Sequence, residues 1–205
     1  MTPSPQALHA FLRSRRSVRR FAAREVPREV IARVLDTARW APSAHNRQPW
    51  RFVVLARDGA ARRALADAMA AAFRRDLEAD GLPPEEIDAR VTRARQRLLE
   101  APVAIVLAAD RATMDAYPDA RRQRAEHTMM VQSAALAGLQ LLLAAHAEGL
   151  AGVWTCGPLF VPELVRQVLA LPATWEPQAL FFLGYPARVP EPPPRRALDE
   201  VVWWR

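Results

Sequence analysis

Residues 13–21 read Arg-Ser-Arg-Arg-Ser-Val-Arg-Arg-Phe, and residues 42–52 read Pro-Ser-Ala-His-Asn-Arg-Gln-Pro-Trp-Arg-Phe. The first run sets a hydroxyl among guanidiniums, a donor set suited to phosphate. Each Arg presents a planar fork that grips two oxygens, and Ser17 adds a short neutral bond. The second run packs turn formers and side-chain amides into one loop ahead of a strand. Together they offer what a phosphorylated, ring-bearing cofactor needs. Taken alone, Arg13–Arg24 also reads as a solvated basic face, and Asn46 and Gln48 as loop caps.

Composition removes several other chemistries. The formal charge is +7, and all 29 basic residues are arginine. Without lysine there is no Schiff-base, P-loop or kinase-type lysine. The seven glycines form no G-x-G-x-x-G and no G-x-S-x-G, which argues against Rossmann-type dinucleotide binding and nucleophile-elbow hydrolysis. One cysteine, Cys156, excludes an intrachain disulfide and a cysteine zinc cage, and no metal site is expected. His45 and His127 are isolated and read as loop or surface residues rather than proton donors. Cys156 reads as a small packed hydrophobe. Trp154 reads equally as a core residue or a ring-stacking one.

These side chains must be positioned by a core. Hydrophobic residues at 51% and charged residues at 25% are ordinary for a globular chain, and 205 residues suit one domain over 1–205. Helical spacing predicts helices from Ser4-Pro5, over about 27–41, over 60–100 with a break at Gly81-Leu82-Pro83-Pro84, over about 121–148, and over 161–171. Apolar runs predict strands at 50–55, 103–107, 150–155 and 179–183. In the long helix after Met129 most of the surface is apolar, which calls for burial on several sides, as at a subunit interface. Beyond the stiff run Pro190-Glu-Pro-Pro-Pro lie Val201-Val202-Trp203-Trp204, side chains that favour docking on a neighbouring subunit. His146 and Glu148 interrupt the best candidate for a membrane span, and the N-terminus lacks an apolar leader. A cytoplasmic protein with no membrane partner is the expectation.

With the elements placed, the chain resembles the FMN-dependent nitroreductase superfamily. The carriers are Arg15-Arg16-Ser17-Val18-Arg19 with Phe21, then Ala41-Pro42-Ser43-Ala44-His45-Asn46 with Gln48-Pro49-Trp50 and Phe52. Gly149-Leu150 with Gly152-Val153-Trp154, Leu183-Gly184-Tyr185-Pro186, and Arg195-Arg196-Ala197-Leu198-Asp199-Glu200-Val201 follow in order. The resemblance is nearest to the branch holding the C-terminal flavin domain of deazaflavin-coenzyme glutamyl ligases. It implies an α+β fold, with helices around a mostly antiparallel central sheet and a C-terminal tail wrapping the partner of an intertwined homodimer.

The same resemblance implies site residues. Arg15, Arg16 and Ser17 would hold the FMN phosphate with Arg195 or Arg196, and Arg19 would reach the pyrimidine edge. Pro42, Ser43, Asn46 and Gln48 would belong to the cofactor site, the first three from the opposite subunit. Trp154, Thr155, Cys156 and Gly157 would lie beside the ring. In the helix after the first strand, Arg74 or Arg75 is the nearest candidate for a further contact. A cation at the pyrimidine edge favours the negative charge that develops on a reduced flavin.

The implied function is an FMN oxidoreductase working by a ping-pong cycle. Hydride passes from NAD(P)H through the flavin to a small-molecule acceptor: a nitroaromatic, quinone, enone or dedicated metabolite. No acid, base or nucleophile constellation is found, and none is required when the cofactor carries the chemistry. One alternative is a flavin- or deazaflavin-binding protein with little NAD(P)H turnover. Another is a basic nucleic-acid module, which the lack of aromatics interleaved with the basic run disfavours.

Overall fold

A strand that is apolar on both faces must be covered on both faces. Two such strands, Val103–Asp110 (β2) and Trp175–Gly184 (β4), are buried at the centre of one antiparallel sheet in the computed structural model, which describes residues 3–205. Trp50–Leu55 (β1) and Ala151–Thr155 (β3) form its edges, in the order β1-β2-β4-β3. Antiparallel registers run through all three pairings.

The side-chain alternation of β4 assigns the two layers. Phe181 and Leu183 face helices Arg28–Ala38 (α2) and Ala120–Ala147 (α5), in a cluster with Val34, Met130, Ala134 and Leu141. Leu180 and Phe182 face the opposite way. There they meet helices Ala60–Ala79 (α3), Pro84–Glu100 (α4) and Pro162–Val168 (α6) through Leu65, Leu98 and Val165. The first helix, Pro5–Ser14 (α1), buries no residue. Ser4 caps it by accepting from Ala7 N–H at 3.2 Å, and Pro5 fills the first-turn position that needs no donor. The α+β class and the antiparallel sheet match the expectation.

Boundaries differ where burial and ladder pairing outweigh local composition. β2 continues to Asp110 and β4 begins at Trp175, because the ladder carries both strands past their polar ends around an irregularity at Leu107/Ala108. Asp110 is compensated there by Ala112 N–H at 3.1 Å and by Arg51 at 3.0 Å. Helix α2 stops at Ala38 and α6 at Val168, ahead of the expected ends. A tight turn over Arg39–Ala41 precedes Pro42, and Ala170 adopts a left-handed φ of 49°.

Arg62 joins α3 to the end of α4. It is fully buried, and its guanidinium donates to the carbonyls of Leu98 and Ala101. Those carbonyls would otherwise lack partners at the helix C-terminus. Burial, reinforced by nearby Arg57, lowers the Arg62 pKa to about 10.

By length and composition α5 could cross a membrane, which the interruptions at His146 and Glu148 argued against. Half of its apolar window is buried on the sheet and α2, the placement of a core helix. The remaining face leaves Leu136 and Leu139 exposed. Residues 187–205 lie outside helices and strands apart from one 3-10 turn, with Trp203 and Trp204 79% and 88% exposed.

Gly138 of α5 lets Trp154 lie across the helix. A Cβ there would overlap Trp154 Cζ3 and sit 2.9 Å from Phe181 Cζ. Gly138→Ala is expected to lower unfolding free energy by about 1–3 kcal/mol, the usual cost of overpacking. Urea unfolding followed by tryptophan fluorescence measures this, and an unchanged midpoint would contradict the packing of Trp154 on α5.

Candidate functional site

After α1 the chain lies along the open edge of β3. Val18 N–H donates to Gly152 O at 3.1 Å, Ser17 bridges Gly152 in parallel register, and Ala22 N–H donates to Tyr185 O at 2.8 Å. Val18 is buried and anchors the segment, while Ser17 and Arg19 alternate outward and, like Arg20, are exposed. Arg16 donates to the carbonyls of Arg13 (2.6 Å) and Arg15 (2.9 Å), so it caps the end of α1.

Among the described residues, Arg13, Arg15, Arg16, Arg19 and Arg20 have no carboxylate partner. Arginines such as Arg33, Arg51, Arg74 and Arg95 do. The uncompensated cluster is a donor set with capacity for an anion. His146, in the last turn of α5, bounds it from behind. Its Nε2 is 2.7 Å from Ser14 Oγ, and its ring stacks on Phe11 at 4.8 Å. Burial, then the charges of Arg15 and Arg16, hold this imidazole below its ordinary pKa.

A trough opens between β3 and the α3–α4 pair. Its first part, about 490 Å³, is lined by Arg19, Arg20, Arg57 and Arg97 over Val153 and Thr155. Its second, about 420 Å³, shares Arg97, Thr155 and Phe182 and continues past Met69, Phe73 and Leu180. The trough is therefore basic at one end and apolar at the other. Gly157 keeps the second part open, since a Cβ there would come 3.0 Å from Met69 Cε. The structure thus brings Arg19, Thr155 and Gly157 together.

Strand alternation separates Trp154 from them. Its ring turns to the α5 face, 5.0 Å from Phe181 at 75°, and lies partly buried against the core cluster there. Its Nε1 donates to Cys156 Sγ at 3.2 Å, and Cys156 is exposed rather than packed, because it lies just beyond the end of β3.

Arg57 and Arg97 were missed in the sequence. Arg97 stands beside Leu98 on the flank of the buried stripe of α4, exposed, and helical spacing alone gave no signal for it. Arg74, one of the two expected candidates, instead pairs with Asp88 across the α3–α4 hairpin, and Arg75 is exposed.

Pro42, Ser43, Asn46 and Gln48 occupy a strained loop ahead of β1. His45, Asn46 and Gln48 have φ of 49°, 53° and 50°, an unusual density of left-handed residues. Ser43 Oγ accepts from Gln48 N–H at 3.1 Å, and Gln48 Nε2 donates to Asn46 Oδ1 at 3.1 Å. Ala44 N–H donates to Ser133 Oγ of α5 at 3.2 Å, and Arg47 pairs with Asp115. Ser133 was also missed; a hydroxyl in an apolar helix was the signal.

This loop enters β1, whereas the arginine segment lies outside β3, at the other edge. Four strand spacings, roughly 19 Å, separate that segment from β1. One chain therefore does not bring the two ligand-bearing segments together. Arg195 and Arg196 are on the exposed tail, with local contacts to Pro193 and Pro194 carbonyls (3.2 Å) and to Glu200 (3.9 Å). His127 Nε2 lies 2.8 Å from Glu176, which also holds Arg111, and His45 is an exposed loop residue.

Comparison with known proteins follows the same lines. A family model described as "Nitroreductase family" matches residues 12–185. A Thermus thermophilus protein called NADH dehydrogenase is 34% identical, over 93% of this chain and 92% of its own length. A 5,6-dimethylbenzimidazole synthase of Rhodospirillum rubrum is 33% identical, over 96% of this chain and 88% of its own. A Desulfovibrio desulfuricans protein named as a nitroreductase and solved in complex with FMN is 28% identical, covers 100% of this chain and 98% of its own, and superposes with a TM-score of 0.75. These names lend no support to the ligase-domain branch, and the synthase represents a different one.

The His146 environment carries a pH dependence. Because its folded pKa is depressed, the unfolded chain binds its proton first, so stability is lost as pH falls below the ordinary value of 6.5. His146→Gln is expected to flatten that slope, as read from urea midpoints at pH 5.5 and 7.5. An unchanged slope would remove His146 from the arginine cluster.

Proposed function

Because the chain belongs to the nitroreductase family, we propose that it is an FMN oxidoreductase passing hydride from NAD(P)H through the flavin to an oxidised organic acceptor by a ping-pong mechanism. The observation that carries this reading is the run of arginines around Ser17 without carboxylate partners, which suits a phosphate, beside the arginine-lined part of the trough, which suits the electron-rich edge of a flat ring. The chemistry of the donor set fits FMN: guanidiniums without carboxylate partners, a hydroxyl among them, and a glycine where a side chain would obstruct.

Each residue then has a physical task. Arg15 and Ser17 hold phosphate oxygens, with Arg16 stiffening the turn that presents them. Arg19, aided by Arg57 and Arg97, places positive charge where negative charge develops. The backbone of 154–157 borders the ring. Hydride transfer requires close approach of two flat partners, so an open ring face matters more than a titrating side chain. Arg195 or Arg196 adds to the phosphate grip once the tail docks.

The site is completed by a second copy. Pro42, Ser43, Asn46 and Gln48 lie across the sheet from the arginine segment and serve the cofactor of the other subunit. The exposed Trp203 and Trp204 and the bare α5 face with Leu136 and Leu139 supply apolar surface for such a homodimer. The residues 1–205 then act as one domain, cytoplasmic and without nucleic acid or membrane partner.

The purified protein is expected to be yellow, to release FMN on denaturation, and to oxidise NADH or NADPH with menadione or nitrofurazone. Arg15→Ala with Ser17→Ala is expected to weaken FMN binding by at least ~100-fold, two charge-assisted contacts being lost. Dialysis followed by the visible spectrum reads this, and colour retained by the double variant would refute the phosphate assignment.

A further inference from the structure

The apolar half of the trough has a charge pattern that flavin binding does not use. It runs beneath the α3–α4 hairpin, whose register is set by two ion pairs, Arg95 with Asp67 and Arg74 with Asp88. By that register Arg97 stands level with about residue 65 of α3. Asp76 is eleven residues further on, roughly 16 Å along the helix at 1.5 Å per residue. Both line the same cavity, as does Asp80 at the C-cap of α3. The cavity is therefore an elongated groove with a cationic end beside Thr155 and an anionic end at the hairpin tip.

Three features give the tip, where Asp76 and Asp80 are both exposed, a negative potential. Among the described residues neither Asp76 nor Asp80 has a basic partner, while Arg95, the other cation lining the groove, is already neutralised by Asp67. The C-terminal end of the 20-residue helix α3 adds the negative pole of its dipole. Phe73 and Phe160, 36% and 79% exposed, edge the groove, and aromatic rings can also attract cations. Between the two ends the walls are apolar, with Met69, Leu98 and Leu180.

We propose that this groove binds the organic acceptor, and that the acceptor class it favours is a flat apolar body with an ammonium or similar cation at its far end. The reducible ring lies toward Thr155 and Gly157, and the cation lies between Asp76 and Asp80. Anionic aromatics are disfavoured by those carboxylates, and neutral ones bind without the charge contribution. This proposal rests on the oxidoreductase reading of the site but concerns residues that the flavin does not require.

The test uses the full-length protein as purified and three redox-inert probes that share a biphenylmethyl body and differ in the head group: (biphenyl-4-ylmethyl)trimethylammonium, biphenyl-4-ylmethanol and biphenyl-4-ylacetate. Calorimetric titration is expected to rank cation over alcohol over carboxylate, with cation at least tenfold tighter than carboxylate at low salt. Asp76→Asn with Asp80→Asn is expected to weaken the cation about tenfold and to change the alcohol less than twofold. Met69→Trp, which fills the groove, is expected to abolish binding of all three.

Equal affinities for cation and carboxylate, a preference that survives the double variant, or cation binding unaffected by Met69→Trp would each overturn the proposal. A colourless protein that keeps the preference would count against the flavin alone. A yellow one without it would count against the groove alone.

Discussion

The hydrogen bond from Val18 N–H to Gly152 O holds the arginine segment against the free edge of β3, and the geometry of the site follows from that contact. An edge strand presents unpaired donors and acceptors. Here Ser17 and Val18 pair with Gly152 of that edge and Phe21 and Ala22 with Tyr185 and Pro186 just past β4, so that Val18 points inward and Ser17 and Arg19 point out. The N-terminal helix has no buried residue, and the sheet edge supplies the order that the helix alone would not. His146 and Ser14 add a second point of attachment at the turn between helix and extended segment.

Charge placement follows a consistent division. Arg74 and Arg95 on the α3–α4 hairpin pair with carboxylates of the neighbouring helix and set its register, whereas the arginines of residues 13–20 have no acid partner among the described residues. Exposed pairs of the first kind add little stability. Their effect lies in alignment, because they fix which residues of α4 stand opposite which of α3. Arg62 completes the hairpin by spending its buried guanidinium on the carbonyls at the end of α4, next to Ala101 and the arginine-lined part of the trough.

Much of this was legible in the residues. Alternation and apolar runs located all four strands, and Trp50–Leu55 was placed to the residue, since turn formers bound it on both sides. The break at Gly81-Leu82-Pro83-Pro84 separated α3 from α4 as composition implied. Asp110 and Trp175 escaped notice because a ladder continues through polar residues when the partner strand supplies the bonds. Arg97 was overlooked for a related reason: a charged residue on a charged helix reads as solvated until the helix is seen to close over a cavity. Trp154 was ambiguous in sequence, and in the fold it packs partly buried against the core in the space left by Gly138.

Local chemistry, then, is written in the chain itself. Guanidiniums flanking Ser17, the amide-rich turn at 43–48 and the lack of lysine are properties of residue types, and they bound the ligand class without coordinates. Separation belongs to the tertiary structure, because sheet order depends on long-range pairing that no local pattern encodes. Placing β1 and β3 at opposite edges put the amide loop and the arginine segment on different sides of one subunit, and folding the α3–α4 hairpin over Leu180 and Phe182 created a groove whose two ends differ in charge.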